Sequence, residues 1–380
     1  MRVRVANDRD EWNSIVDRSP FSVLHHRYES FYYHRNPLPL IVEEKNHKIL
    51  FPMRLEQLFR SFKLAISPVH SYASVLPDSE NSVHMIPNAL DVAKNFLKDI
   101  GVHYIALSAP TFHSKLYINS IDYWFKKENA SIQTIYAHMI FIGSKTYSEI
   151  SKTKFTKGAR YNIRKAERDG VKITEIKTEQ DIRKWMDDIY QCNLSALKRQ
   201  GREGAFPDSC KEVYLSELLK DKKRLGDYYR IYGAVYHNRL IAYIILHEYN
   251  KAMLTTKIMS HTNFLAKYPN DALIAHIIKK ACEKNFEIFE YGLERTKIAG
   301  KIPSLYPGLE KYFLKFGCEE VPVLIYRLGL TRSGKLLQNL FSGKEYLMTR
   351  YAYLPSPIRS LFLRIYAPKR RNSIFNFLNT

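Results

Sequence analysis

The residues best suited to chemistry fall in one stretch, Lys154 to Gly170, KFTKGARYNIRKAERDG, the densest positive cluster in the chain. Wound at roughly 100° per residue, this segment puts Lys157, Arg160, Arg164 and Arg168 on one side of a helix, with Ala159, Ile163 and Ala166 opposite. Guanidinium forks fixed beside solvent match the geometry of phosphate oxygens, and Lys165 adds a further charge. A solvated basic face carries the same pattern, so the residues alone leave both readings open. Elsewhere the usual catalytic signatures are missing: there is no GxSxG elbow and no convincing Cys–His grouping. Cys192, Cys210, Cys282 and Cys318 have neither zinc-type nor disulfide-framework spacing, and His25-His26 has no carboxylate or cysteine at ligand spacing. No metal site and no tightly bound cofactor is expected.

The elements that must position this helix follow from length and periodicity. A chain of 380 residues, 45% of them hydrophobic, suits two domains of ordinary size, each with its own core. Its formal charge of +21 implies attraction to polyanions: nucleic acid, nucleotide-linked substrates, an acyl carrier or an anionic membrane surface. The opening MRVRVANDRDEW lacks the apolar core of a signal peptide, and no apolar run is long enough to span a bilayer, so a cytoplasmic location is expected. Residues 2–6 alternate as a strand, and helices are predicted over 7–16 and 27–33. Strands at 38–44, 48–57 and 62–66 form a meander, followed by a helix at 87–98, a strand at 103–107, a helix at 114–126 and a strand at 132–142. After the basic helix the order repeats. A strand at 171–175, a helix opened by Thr178 and Asp181 and running to Gly201, and a helix from Pro207 lead into strands at 228–236, 240–248 and 252–259. A helix at 271–284, a strand at 286–291, a helix at 306–316 and a strand at 321–328 close the series.

That order, twice over, resembles the GNAT acyltransferase fold. The spelling RxxxRKAxxxGV, from Arg160 to Val171, resembles the segment that joins the two units of the Fem-type peptidoglycan bridge-forming aminoacyltransferases and the wider FemAB-like group. Further matching stretches are Trp12, Pro68-Val69-His70-Ser71-Tyr72, Tyr147-Ser148-Glu149-Ile150, Phe289-Glu290-Tyr291-Gly292 and Phe316-Gly317. The resemblance covers about residues 1–330 and implies an α/β (α+β) fold of two tandem units, each a mixed sheet flanked by helices. The expected division is 1–152, 153–330 with the basic helix at its start, and a basic helical tail at 331–380.

In such enzymes the acyl group passes directly to an amine, so the protein aligns the reactants, stabilises an oxyanion and needs a proton acceptor. Glu290 is the candidate base, because it ends an apolar strand where the family often has an acid; a capping or salt-bridging role is the alternative. Lys157, Arg160, Arg164 and Lys165 are expected to bind substrate phosphates, with Tyr291 also among the substrate-binding residues; His70 and Tyr72 line the acceptor pocket or, alternatively, form a turn packed by Tyr72. Two departures stand out. The glycine-rich pyrophosphate turn of coenzyme A enzymes is replaced by Phe264 to Asp271, without glycine, and Phe313 stands where the family has a lysine. Lys311 or Lys315 is expected to substitute for that lysine, although a surface i, i+4 pair reads the same way. The donor is aminoacyl-tRNA or acyl-CoA.

The tail carries nine Lys/Arg against one acid, Glu345, with Leu337, Leu340, Phe341, Ile358, Leu361, Phe362 and Ile365 at helical spacing. It suits contact with an anionic leaflet at the inner membrane face, RNA, or its own domain. The resulting reading is an N-acyltransferase moving an acyl or aminoacyl group onto an amine of a nucleotide-linked or lipid-linked cell-envelope sugar or peptide precursor. The alternatives are an acyl-CoA-dependent acetyltransferase of surface polysaccharide synthesis and a non-enzymatic nucleic-acid-binding protein.

Overall fold

A computed structural model describes residues 1–31, 36–59, 62–67, 74–110, 113–199, 211–294 and 307–340. The chain divides into two compact units. The first comprises Met1–Tyr136, Leu293–Pro307 and Val321–Thr380, and the second Ala137–Gly292 and Gly308–Glu320.

The first series runs β1 (Arg2–Val5), α1 (Arg9–Arg18), α2 (Tyr28–Phe31), β2 (Pro37–Glu44), β3 (His47–Phe59), β4 (Phe62–Ile66), the two-residue β5 (Leu76–Pro77), α3 (Ile86–Asp99), β6 (Val102–Pro110), α4 (Lys115–Lys127) and β7 (Ser131–Phe141). Asp8 caps α1 by accepting from the amides of Asp10 and Glu11. Strand order in this unit is β1-β2-β3-β4-β6, with β5 on β3. Leu40, Ile49, Leu64 and Ile105 are among its buried residues.

A link of α5 (Tyr147–Thr153) and α6 (Lys157–Arg168) leads to the second series. It comprises β8 (Lys172–Ile176), α7 (Glu179–Arg199), α8 (Lys211–Leu225), β9 (Tyr229–Tyr236), β10 (Arg239–Tyr249), β11 (Ala252–Ser260), α9 (Pro269–Glu283), β12 (Ile288–Glu294), α10 (Pro307–Leu314) and β13 (Glu319–Gly329). The predicted α7 start is present: Thr178 and Asp181 exchange side-chain and backbone hydrogen bonds. Its strands lie in the order β12-β11-β10-β9-β8. The apolar face of α6, Ala159, Ile163 and Ala166, is buried in a core shared with Leu273 and Ile277 of α9. The repeated element order read from the sequence is therefore the architecture of the chain.

The units do not follow the linear division at 152/153 and 330/331. From Val321 onward β13 belongs to the first unit, where Val323 to Gly329 pair antiparallel with Pro110 to Tyr104 of β6. From Ala137 onward β7 belongs to the second. An apolar strand carries no linear mark of the sheet edge it will join, which is why the sequence placed β13 with its neighbours in the chain.

The tail begins with helix α11, residues 332–340, docked on the first unit. Gln338 accepts from the Gly329 amide and donates to the Asn129 carbonyl, and Leu337 packs on Leu64 and Tyr104. Gly334 permits the approach, since a Cβ there would lie 1.8 Å from the His103 carbonyl oxygen. Leu336 and Leu340 remain exposed. Phe341 and the rest of the tail, like His70, Tyr72 and Cys210, lie outside the described residues.

Candidate active site

In the second unit the parallel ladder between β11 and β12 runs, among the described residues, over the three pairs Ala252–Ile288, Met253–Phe289 and Leu254–Glu290. Both strands continue beyond that point, β11 to Ser260 and β12 to Glu294, and a bulge in β10 shifts its register with β11 at Ile245/Leu246. The backbone thus opens directly after Glu290.

Glu290 is buried, 1% exposed. By strand alternation its side chain faces the side of the sheet opposite Phe289 and Tyr291. It lies near enough to Cys318 to help burial push that thiol well above the ordinary range. Cys318 is thus a poor nucleophile, in keeping with transfer that forms no acyl-enzyme.

The other side of β12 gathers an aromatic and polar group. The Tyr291 ring centre lies 4.7 Å from that of Phe289, 4.9 Å from Phe313 and 6.0 Å from Phe316. Phe313 also meets the ring of the buried His138 at 5.0 Å, and His138 stands 3.7 Å from the Glu320 carboxylate. The Lys315 ammonium lies 4.0 Å from the Tyr312 ring centre and is paired at 2.6 Å with Asp271. Asp271 sits in the first turn of α9, 4% exposed, and also accepts from Asn162 Nδ2 at 3.1 Å. A helix N-terminus, an ammonium and an amide together hold this carboxylate. Among the described residues, the hydroxyls of Tyr291 and Tyr312 are buried without a hydrogen-bond partner. Burial, then charge nearby, pushes both phenols well above their ordinary range, so they remain donors.

Of the predicted lysines, Lys315 joins this cluster and Lys311 is exposed. The basic helix divides its cations. Arg160 turns back to donate to the carbonyls of Ser151, at 3.1 Å, Lys152 and Phe155, closing the C-terminal end of α5. Lys157 and Arg164 are exposed, with Tyr161 rather than Arg160 completing their outward row, and Lys165 lies 5.1 Å from the Tyr268 ring. Lys267 is tied to Asp169 at 3.2 Å. Gly317 brings α10 to this region: its φ is +73°, and a Cβ there would be 2.7 Å from the Lys154 carbonyl oxygen.

Sequence reasoning missed Asp271, Asn162 and Tyr312. The signal for Asp271 was an acid at the mouth of an apolar helix; nothing in spacing links it to Lys315, 44 positions away. Among the described residues no group of three or more His, Cys, Asp or Glu could hold a metal. The first turn of α9 is also a poor seat for a coenzyme A pyrophosphate. Phosphate cradles use free helix-terminal amides, whereas here a buried carboxylate stands in that turn, after Tyr268 (φ 52°) and Pro269.

Residues 153–297 match the acetyltransferase (GNAT) domain family, which makes this region an acyltransferase domain. The FemX crystal structure is similar to this chain with a TM-score of 0.65 at 12% identity, over 90% of this chain and 99% of FemX. A C-terminal domain named for lysylphosphatidylglycerol synthetase, from Agrobacterium fabrum, gives 0.54 at 13% identity, over 86% and 93%. L-PGS from Bacillus licheniformis gives 0.54 at 10%, over 93% and 98%. At such identities the likeness is one of fold. No curated protein matches the chain in sequence.

Proposed function

We propose that this chain, an acyltransferase by its GNAT domain, moves an acyl or aminoacyl group from an activated donor onto an amine of a cell-envelope sugar or peptide precursor. The observation that carries the proposal is the opening of the second unit's sheet just past Glu290. A buried carboxylate lies on one side of β12, and a lysine with two phenols lies on the other. Direct transfer requires a proton acceptor, donors for the developing oxyanion and two aligned reactants, and no covalent intermediate. Glu290 takes the proton from the attacking amine, and Lys315, fixed by Asp271, supplies positive charge.

The carboxylate in the first turn of α9 supports a donor such as aminoacyl-tRNA, which needs no pyrophosphate cradle there. Lys157, Arg164 and Lys165 meet phosphates of the donor or of a nucleotide-linked or lipid-linked acceptor. His70 and Tyr72 belong to the acceptor side. The names of two similar folds, FemX and a lysylphosphatidylglycerol synthetase domain, favour an envelope-linked acceptor. So does the basic tail, suited to the anionic inner leaflet.

The test incubates the protein with charged tRNA or with acetyl-CoA, and a uridine-diphosphate-linked sugar peptide bearing a free amine. Mass spectrometry then reads acylation of that amine. Transfer from charged tRNA, lost in Glu290→Gln, is expected. Transfer from acetyl-CoA alone would reverse the donor assignment, and no product from either donor would sink the proposal.

A further inference from the structure

Folded proteins rarely bury a hydroxyl without a partner, because the group loses its hydrogen bonds to water and gains none in return. This chain does so twice in one place. Tyr291 is 3% exposed on β12, and Tyr312 lies one helix away on α10. Among the described residues, neither hydroxyl has a hydrogen-bond partner. The two rings flank Phe316, with centres 6.0 and 5.6 Å from it. Phenylalanine would fill both positions with the same ring and none of the penalty; Phe289, Phe313 and Phe316 around them show that the site accepts it. Packing therefore does not account for the oxygen atoms.

Each phenol offers a proton and stays neutral at ordinary pH, because burial holds its titration well above the usual range. The Lys315 ammonium lies 4.0 Å from the Tyr312 ring centre, held by Asp271 at 2.6 Å. Two phenol donors thus lack an acceptor among the described residues, and beside Tyr312 stands an ammonium already oriented by a carboxylate.

We propose that the hydroxyls of Tyr291 and Tyr312, with the Lys315 ammonium, receive the carbonyl oxygen of the acyl group being transferred. This assignment rests on the acyltransferase reading and names the groups that would serve its transition state. The amine nitrogen attacks the carbonyl carbon, a C–N bond forms, and the C=O π electrons move onto the oxygen, which the three donors stabilise. The electrons return as the bond to the donor's oxygen or sulfur breaks. The proton lost by the amine ends on that leaving atom, and no oxidant or other reagent is needed. Asp271, which touches no substrate, is a positioning residue for Lys315.

Two readouts of Tyr291→Phe, Tyr312→Phe and the double variant test this. In thermal unfolding, removal of an unpartnered buried hydroxyl raises Tm by about 1–3 °C per site. In the transfer reaction with charged tRNA and the uridine-diphosphate-linked sugar peptide, kcat falls about 10- to 100-fold per site, with KM for the acceptor nearly unchanged. Higher Tm with lower kcat supports the assignment. Unchanged kcat in an active background overturns it, and a lowered Tm shows that the hydroxyls already have partners and overturns its premise. A wild-type protein inactive with both donors removes the acyltransferase reading itself, and this assignment with it.

Discussion

The same pair of strands ends differently in the two units. In the first, the parallel ladder of β4 and β6 pairs Lys63 with Val102 and Leu64 to Ile66 with Tyr104 to Ala106. It is then extended: the Ser67 amide donates to Ala106 O at 2.9 Å, and the Ser67 and Ser108 hydroxyls meet at 3.3 Å. In the second, the corresponding ladder stops at Leu254 and Glu290, and the residues that follow leave donors without acceptors. Several buried side chains of the first unit bond to its own backbone. Trp12 donates to His26 O at 2.7 Å, Tyr117 to Val75 O at 2.7 Å and Ser19 to Pro77 O at 2.6 Å. The ladder is thus continued by hydrogen bonds in the first unit, whereas in the second Tyr291, next after its last pair, carries an unpartnered phenol.

The largest test of this contrast is to break a charge pair in each unit. Lys315→Met leaves Asp271, 4% exposed, with Asn162 and no cation, which is expected to destabilise the protein by about 3–5 kcal/mol in chemical unfolding. Lys315→Met combined with Asp271→Leu should recover most of that stability while transfer stays at least about 100-fold down, because packing is restored but the ammonium is not. In the first unit, Lys48 pairs with Glu11 at 2.6 Å beside Arg4, at half-exposed positions. Lys48→Met should lose no more than about 1 kcal/mol and leave transfer intact. Equal losses in the two units would erase the distinction.

A second test uses pH. Burial lowers the pKa of His26 to about 4 and that of His113, with the neighbouring His26 contributing, to about 3. The His26 ring lies against the amides of Val23 at 3.0 Å and Ser74 at 3.2 Å; a neutral ring keeps an acceptor nitrogen and an imidazolium keeps none. Both folded values lie below the unfolded value of 6.5, so between pH 6.5 and about 3 the unfolded chain binds more protons. Stability from these groups is fully present above pH 6.5 and falls as pH drops through 4 and then 3, by an amount on the order of a few kcal/mol. Urea midpoints between pH 4 and 7.5 should show this slope. His113→Phe, keeping the ring contacts to Phe21 and Tyr117, should flatten it. An unchanged slope in that variant would place the proton uptake elsewhere.

Most of the fold was legible because its signals are local. Apolar periodicity marked the helices and strands, and caps such as Asp8 and the Thr178/Asp181 pair marked helix starts. The site was legible only in part. Tyr291 and Lys315 were named from resemblance, and both stand in the cluster. Asp271, Asn162 and Tyr312 were not, since what unites them with Lys315 is proximity across three helices rather than spacing in the chain. The destination of β13 was hidden for the same reason: pairing with β6 joins residues more than 200 positions apart.

The smallest test separates two arginines that the sequence treated alike. Helical spacing puts Arg160 and Arg164 on one face, but the half-turn between α5 and α6 brings three carbonyls within reach of Arg160 alone. Arg160→Ala therefore removes the donor to a helix end and should cost about 1 kcal/mol of stability, with Tm the readout. Arg164 is exposed, and Arg164→Ala should leave stability within about 0.5 kcal/mol. If the outward row of Lys157, Tyr161, Arg164 and Arg168 meets a polyanionic substrate, the same variant should raise its KM a few-fold and make that KM less steeply salt-dependent. Replacing both arginines at once would mix the two effects. The single variants keep a structural cation and a binding cation apart, and the reverse result, with Arg160 altering KM and Arg164 altering Tm, would exchange their roles.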